Sequence, residues 1–333
     1  MGSLAPRQPA RAFPPGIHVP SLTWFKDDDA QTIDWSLQES HVKFLIEAGL
    51  HGIVIAGTNG EAAALSSEEK YELVRRTRQI ASSLGKPDLP VTVGCNGGCT
   101  RAVIKDTVAA AAAGADFALT LVPSYFHFAL DDAAINEFFL EVADKSPVPI
   151  VIYNFPGVVS GLDVNSEMLD VLGQHPNIVG VKLTCGGIAK VARVSAKFGA
   201  FQDESETGEF RALAGQSDWL VPALDVGGSG CITGLANLFP KACLEMYELW
   251  LAGKSKEANK LQIEVSKTEI GFGRAGINGT KWIVAHLRGY SEGSSHCRRP
   301  YPKFRDDKKK AWLLEKMTPC TAIENTLLKR VGS

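Results

Sequence analysis

A lysine stands inside an apolar segment that otherwise predicts a buried strand. In NIVGVKLT (residues 177–184), apolar residues continue on both faces around Lys182, which is typical of a parallel strand covered on both sides. Strand alternation places Ile178, Gly180 and Thr184 on the face of the lysine. Because burial favours the neutral form of an amine, and neutral lysines form Schiff bases with carbonyl compounds, we predict that Lys182 is a nucleophile. The alternative is a lysine whose amine reaches solvent at the strand end.

A tyrosine ends another apolar run, in YNFPG (residues 153–157). Tyr153 shares a face with Val151 and Phe155, and the Pro-Gly pair stops the strand. A tyrosine at this height can pass a proton to and from the carbinolamine that precedes an imine. The alternative is a core tyrosine with a satisfied hydroxyl.

A glycine-bounded turn, GTNGE (residues 57–61), follows a third apolar run. Such a turn can present successive backbone N–H groups to a carboxylate, so Gly57, Thr58 and Asn59 are candidate substrate-binding residues. The hydroxyl of Thr58 can also relay a proton. A plain connecting turn is the alternative.

The aromatic segment VPSYFHF (residues 122–128) follows a fourth run. Tyr125 can line a site there or pack at a subunit interface, and we interpret His127 as structural. Because no His, Cys, Asp and Glu residues have metal-site spacing, we expect no metal.

The elements that carry these residues alternate regularly along the chain. Eight short apolar runs predict strands over residues 16–25, 52–57, 90–95, 117–123, 149–156, 177–184, 210–216 and 230–234. Helical spacing predicts helices over residues 34–48, 66–84, 100–113, 131–144, 164–172, 187–198, 217–226 and 236–252. Parallel strands need such crossovers, so the pattern predicts an α/β fold, a (β/α)₈ TIM barrel. A doubly wound sheet is the alternative, but TWFKDDDA is no phosphate fingerprint.

Composition and length set the remaining expectations. We predict a disordered N-terminal tail over residues 1–13, the barrel over 14–252 and a C-terminal helical extension over 253–333. The net charge of −2 gives no reason to expect nucleic acid or a membrane surface as a partner. Seven scattered cysteines favour reduced thiols. No secretory signal is recognisable, so we expect a cytoplasmic protein and consider a mitochondrial address less favoured.

Together the four motifs resemble those of the dihydrodipicolinate synthase/N-acetylneuraminate lyase family of class I aldolases. The resemblance covers residues 14–290 and includes GTNGE, YNFPG, GVKLTCGG (residues 180–187) and GTKW (residues 279–282). No single motif is specific, but their combination and order are.

The resemblance implies roles for these residues. Lys182 would form a Schiff base with pyruvate or with the pyruvate half of a 2-oxo acid, and Tyr153 would be the general acid and base. Backbone N–H groups of Thr58 and Asn59 would hold the carboxylate, and Tyr125 would complete a proton relay across a subunit interface of a homotetramer. No metal or organic cofactor is implied.

Departures from the family pattern bear on the substrate. Val158 stands where the synthases carry an arginine, Leu183 replaces a glutamate, and Ser124 replaces a tyrosine. The pattern is more similar to eukaryotic 4-hydroxy-2-oxoglutarate aldolases and fungal 2-keto-3-deoxy-L-galactonate aldolases, which implies cleavage of a 4-hydroxy-2-oxo acid to pyruvate and an aldehyde. Dihydrodipicolinate synthesis and a non-catalytic 2-oxo-acid-binding scaffold remain alternatives.

The sequence leaves the contacts with the aldehyde half open. Further candidates are Asn59, Ser124, Gln216, Ser217, Ile232 and residues 234–237. We interpret the pair Arg298 and Arg299 as a solvated surface feature, with a contact to a substrate carboxylate as the alternative.

Overall fold

Eight parallel strands close into a barrel in chain order, with a helix after each strand. The computed structural model describes residues 11–198 and 210–331. The strands are β1 (Gly16–Pro20), β2 (Gly52–Ile55), β3 (Val91–Gly94), β4 (Phe117–Leu121), β5 (Ile150–Asn154), β6 (Ile178–Leu183), β7 (Arg211–Ala214) and β8 (Gly230–Ile232). Because β1 pairs with β8, the predicted (β/α)₈ barrel is confirmed and the open doubly wound sheet is wrong.

The helices follow the predicted periodicity closely. They are α1 (Trp35–Glu47), α2 (Ser67–Ser83), α3 (Thr100–Ala112), α4 (Asp132–Lys145), α5 (Ser166–Leu172), α6 (Ile188–Phe198), α7 (Leu220–Asp225), α8 (Pro240–Leu251), α9 (Ser255–Arg288) and α10 (Asp307–Val331). Asp34 caps α1, and Ser66 with Glu69 forms a capping box at α2. These caps satisfy the first backbone N–H groups of each helix, which explains why the helices begin where the sequence predicts.

The barrel interior is apolar towards its amino end. Val54, Leu119, Val151, Leu213 and Ile232 point inwards and form one buried cluster. Phe13 belongs to this cluster and is fully buried, with its ring centroid 5.0 Å from that of Phe117. Our assignment of Phe13 to a disordered tail is therefore wrong, because its ring fills the amino end of the barrel. Residues 1–10 of that tail lie outside the described residues.

A bulge in β6 changes the predicted alternation. The register against β5 shifts between Ile150 and Val151, so that Ile150 pairs with Ile178 and Val151 with Gly180. Ile178 packs outwards under the helices, whereas Val179 joins the interior. The placement of Ile178 on the face of Lys182 is thus wrong, because the bulge adds one residue to β6. Simple alternation with Lys182 holds only from Gly180 onwards.

Helices beyond the barrel form a C-terminal layer. The extension begins with one long element, α9, which is interrupted at Gly276 with φ 63° and ψ −171°. Only glycine adopts this conformation readily. The helix α10 packs on α9, where Leu313 and Met317 approach Gly271. No helix in the described part of the chain combines the length and the apolar character needed to cross a membrane.

Candidate active site

The centre of the site is a lysine and a tyrosine on neighbouring strands. Tyr153 and Lys182 are register partners near the carboxyl ends of β5 and β6, so both side chains enter the barrel at the same height. Both are 4% exposed, and the Nζ atom of Lys182 lies 4.1 Å from the centroid of the Tyr153 ring. Within residues 11–198 and 210–331, no carboxylate forms an ion pair with this amine.

The turn after β2 brings a hydroxyl to the tyrosine. The Oγ1 atom of Thr58 lies 3.2 Å from the hydroxyl oxygen of Tyr153, a distance at which one group donates to the other. Thr58 is held in a strained turn, since Ala56 and Glu61 both have left-handed φ values of 52° and 57°. Such strain is uncommon for residues with side chains and persists where the surroundings enforce it.

Glycines allow this turn to pack closely against neighbouring loops. A Cβ atom on Gly60 would lie 2.8 Å from the carbonyl oxygen of Ser21 at the end of β1. Asn59 points towards β8, because a Cβ atom on Gly234 would lie 2.4 Å from its Nδ2 atom. Of the predicted turn residues, Gly57 and Thr58 line the central cavity, whereas the side chain of Asn59 points to the loop after β8.

A cavity of about 560 Å³ opens above this group. Its floor includes Thr58 and Tyr153 together with Leu119 and Leu121, and its outer wall includes Ala62, Lys70 and Val158. Ile277 and Tyr301 of the C-terminal layer complete the wall. A pocket of this size, with polar groups at one end, is typical of a small-molecule site.

The positive charge of Lys70, on the wall of the cavity, is neutralised by an ion pair. The Nζ atom of Lys70 donates to Asp106 at 2.5 Å and to the carbonyl oxygen of Gly94 at 3.3 Å. Tyr71 donates its hydroxyl to the same carboxylate. Lys70 therefore presents its aliphatic chain and a paired ammonium to the cavity.

A second buried lysine fixes the GTNGE turn from outside. The Nζ atom of Lys281, on α9, donates to Glu61 at 2.7 Å, and both side chains are 1% exposed. Burial lowers the pKa of Lys281, while the charge of Glu61 opposes that change. The second oxygen of Glu61 accepts the backbone N–H of Arg298 at 2.8 Å. Glu61 and Lys281 stand in the motifs GTNGE and GTKW, but neither motif indicates that the two residues pair.

Other predicted residues lie away from the cavity. Ser217 is fully buried, its hydroxyl donates to Glu269 at 2.5 Å, and it does not line this cavity, so its contact with a substrate stays a prediction. Ile232 is fully buried in the barrel interior. Tyr125 is 82% exposed and packs edge-on against Phe126 at 4.9 Å between ring centroids, so a single chain does not bring Tyr125 to Thr58.

Arg298 is not a solvated surface residue. Its guanidinium donates two bonds of 2.7 Å to the carboxylate of Glu69 and lies 4.2 Å from the Phe25 ring centroid. Our interpretation of Arg298 is therefore wrong, because the C-terminal layer folds back onto the turn after β2. Arg299 is exposed, as predicted.

A carboxyl group without an assigned role is buried behind β7 and β8. Glu269, on α9, accepts the backbone N–H of Ser217 at 2.7 Å and the hydroxyl of Thr233 at 3.0 Å. Burial, aided by the charge of Asp218, raises its pKa from 4.5 to about 7. The hydrogen bonds from Ser217 and Thr233 act in the opposite direction but are outweighed.

A match to a family model establishes the family of this chain. The model of the dihydrodipicolinate synthetase family matches residues 14–315. The chain belongs to this family. The predicted family is thereby confirmed, and the match extends into the C-terminal layer and includes Ile277 and Tyr301. In the described residues, no three His, Cys, Asp or Glu side chains form a group that could hold a metal ion.

Named members of the dihydrodipicolinate synthetase family resemble this chain over most of its length. The L-threo-3-deoxy-hexylosonate aldolase of Hypocrea jecorina is 37% identical over 316 residues, covering 95% of this chain and 99% of that protein. A protein of Emericella nidulans named 4-hydroxy-2-oxoglutarate aldolase, mitochondrial, is 38% identical over 290 residues, covering 87% and 90%. The crystal structure of a dihydrodipicolinate synthase family protein from Coccidioides immitis superposes with a TM-score of 0.83 at 35% identity, covering 97% of this chain and 100% of that one.

Proposed function

We propose that this protein is a Schiff-base aldolase that cleaves a 4-hydroxy-2-oxo acid into pyruvate and an aldehyde. The observation that carries the proposal is a buried amine, that of Lys182, against the ring of Tyr153, whose hydroxyl pairs with Thr58 at the floor of the cavity. The two relatives described above are named as aldolases of such acids.

The chemistry proceeds through a covalent intermediate. The Nζ atom of Lys182 attacks the C2 carbonyl, and loss of water gives an iminium that acts as an electron sink. Tyr153, coupled to Thr58, moves protons during formation and breakdown of the carbinolamine. Loss of the proton from the C4 hydroxyl breaks the C3–C4 bond, which releases the aldehyde and leaves an enamine. Protonation at C3 and hydrolysis release pyruvate, and no metal or organic cofactor takes part.

The pyruvate half binds next to the GTNGE turn in this proposal. Backbone N–H groups of Thr58 and Asn59 hold its carboxylate, with Gly57 in the same turn. Tyr125 extends the proton relay from a neighbouring subunit. Its aromatic surroundings support this role, because Phe126 and Phe128 are 61% and 78% exposed and exposed aromatic clusters are typical of interfaces.

The cavity favours a neutral, hydroxylated aldehyde. In the described residues, the only lysine or arginine on the wall of this cavity is Lys70, whose charge is paired with Asp106. A carboxylate on the aldehyde half would thus lack an unpaired cation there. We therefore propose a 2-keto-3-deoxy sugar acid, such as 2-keto-3-deoxy-L-galactonate, ahead of 4-hydroxy-2-oxoglutarate.

Dihydrodipicolinate synthesis is the less favoured alternative. Val158 lines the cavity at the position where, by resemblance, the synthases carry an arginine. An isopropyl group cannot donate hydrogen bonds to the carboxylate of aspartate semialdehyde.

Steady-state kinetics test the proposal. The purified protein is assayed for pyruvate release from 2-keto-3-deoxy-L-galactonate and from 4-hydroxy-2-oxoglutarate, and for condensation of pyruvate with aspartate semialdehyde. We expect the highest kcat/KM with the sugar acid and no condensation. Faster consumption of aspartate semialdehyde would favour a synthase, and binding of 2-oxo acids without any turnover would favour the non-catalytic scaffold.

We also propose a homotetramer and a cytoplasmic location. Sedimentation should give four times the chain mass of 35.8 kDa, and a monomer would refute the role of Tyr125. The Emericella nidulans relative has a mitochondrial name, so fractionation of source cells should compare the cytosol with mitochondria.

A further inference from the structure

A short segment of the C-terminal layer reaches the mouth of the cavity. Residues 297–304, which we call the strap, are attached through Arg298 to the wall after β2. The guanidinium donates to both carboxylate oxygens of Glu69 at 2.7 Å and to the carbonyl oxygen of Ala64 at 2.7 Å. Ala64 ends the 3₁₀ turn Ala62–Ala64, all of which lines the cavity. One arginine thus connects the strap to the wall.

The attachment sets the position of Tyr301. The backbone N–H of Tyr301 donates to the carbonyl oxygen of Arg298 at 3.2 Å, so a single turn separates the anchored residue from the tyrosine. Tyr301 lines the cavity with Ile277 and is 37% exposed. Within the described residues its hydroxyl has no hydrogen-bond partner, whereas Tyr153 is engaged with Thr58.

The attachment between Arg298 and Glu69 is an ion pair, with 2.7 Å between guanidinium nitrogen and carboxylate oxygen. Hydrogen bonding to Arg298 lowers the pKa of the Glu69 carboxyl. The same carboxylate accepts the backbone N–H of Ser66 at 2.9 Å, so the residue that caps α2 also holds the strap. A bidentate arginine–carboxylate pair fixes orientation as well as distance.

We infer that Tyr301 is a specificity-determining residue that contacts the aldehyde half of the substrate, and that Arg298 is the positioning residue that holds it there. The inference rests on the proposed aldolase function, which places the reacting carbons at Lys182 and directs the rest of the substrate into the cavity. Tyr301 offers a ring to the carbon chain and a hydroxyl to the terminal hydroxyl groups of a polyhydroxylated aldehyde. An acid that ends in a methyl group beyond C4 would not use this contact.

Two substrates of different length distinguish a specificity role of Tyr301 from a general effect on catalysis. With Tyr301→Ala, we expect kcat/KM for 2-keto-3-deoxy-L-galactonate to fall about tenfold, mainly through KM, because a hydrogen bond and ring packing are lost. The value for 4-hydroxy-2-oxopentanoate should stay within about twofold. Tyr301→Phe isolates the hydroxyl, and Arg298→Met should follow Tyr301→Ala. Arg299→Met is the matched control and should leave both values unchanged.

Labelling of Lys182 by pyruvate and borohydride distinguishes the possible failures. Absence of labelling in the unmodified protein would refute the proposed function itself. Retained labelling, with equal losses for both substrates or with no loss for either in Tyr301→Ala, would overturn the inference alone. Thermal unfolding checks each variant, and Tyr301→Phe decides if Arg298→Met does not fold.

Discussion

Two buried lysines of this protein have different surroundings. Lys182, inside the barrel, is 4% exposed and faces the ring of Tyr153 at 4.1 Å. Lys281, between the barrel and the C-terminal layer, is fully buried and donates to Glu61 at 2.7 Å. Burial lowers the pKa of Lys281 and the charge of Glu61 opposes that change, whereas within residues 11–198 and 210–331 no carboxylate forms an ion pair with Lys182. The comparison shows that the partner of a buried lysine, rather than its burial, separates a structural ion pair from a candidate nucleophile.

The first prediction removes each amine in turn. Lys182→Met should abolish pyruvate release because no other group forms the Schiff base, while the thermal unfolding temperature stays close to that of the unmodified protein. Lys281→Met should instead lower stability and, because Lys281 fixes the GTNGE turn through Glu61, reduce turnover per folded molecule without abolishing it. Turnover assays and thermal unfolding on both variants make the comparison. Residual turnover in Lys182→Met would contradict the assignment.

The second prediction concerns the neighbour of Lys182. Tyr153→Phe should lower kcat by about 10²–10⁴-fold, the usual contribution of a general acid and base. Thr58→Val should have a smaller effect in the same direction, since Thr58 acts through Tyr153. Tyr247→Phe, on α8, is the matched control for loss of a tyrosine hydroxyl. An unchanged kcat in Tyr153→Phe would show that proton transfer uses another group.

The third prediction concerns the ion pair of Lys281. Lys281→Met should lower the free energy of unfolding by about 3–5 kcal/mol, because Glu61 is left buried with an uncompensated charge. The double variant Lys281→Met with Glu61→Gln should recover part of that loss. Urea unfolding measures both. A loss below about 1 kcal/mol in the single variant would mean that water or Arg298 compensates Glu61.

Particular residues show how far the sequence could predict this structure. Strand and helix periodicity predicted the barrel, since each element buries its own apolar pattern. The positions of Lys182, Tyr153 and Thr58 at or near the ends of predicted strands indicated that they lie together. The bulge that turns Ile178 outwards was not predictable, because periodicity assumes an unbroken register. The contact of Arg298 with Glu69 joins residues 229 positions apart, and local patterns carry no information on such pairs.

The sequence also did not show which polar residues are buried. Ser217 follows a strand at the carboxyl end of the barrel and so resembled a substrate contact. Its partner Glu269 comes from α9, 52 positions later. The proposed role of Tyr125 requires a neighbouring subunit, and one sequence does not show where that subunit lies. Phe13 was misassigned because proline-rich surroundings obscured a single buried ring.

The fourth prediction uses the buried carboxyl group of Glu269. Burial raises the pKa of Glu269 from 4.5 to about 7, so the folded state binds a proton more tightly than the unfolded state. The stability that this provides is fully present below about pH 4.5 and is lost as the pH rises through about 7, by roughly 3 kcal/mol. Glu269→Gln should remove this slope in urea unfolding between pH 5 and 8.5. Glu257→Gln, exposed on the same helix, should keep it, and equal slopes in both variants would refute the assignment.

The most direct test of the central claim is mass spectrometry after incubation with pyruvate and borohydride. We expect one reduced pyruvyl group per chain, on the peptide that contains Lys182, in the unmodified protein and in Lys281→Met, and none in Lys182→Met. Labelling of Lys281 or of any other lysine, or persistence of the adduct in Lys182→Met, would contradict the account.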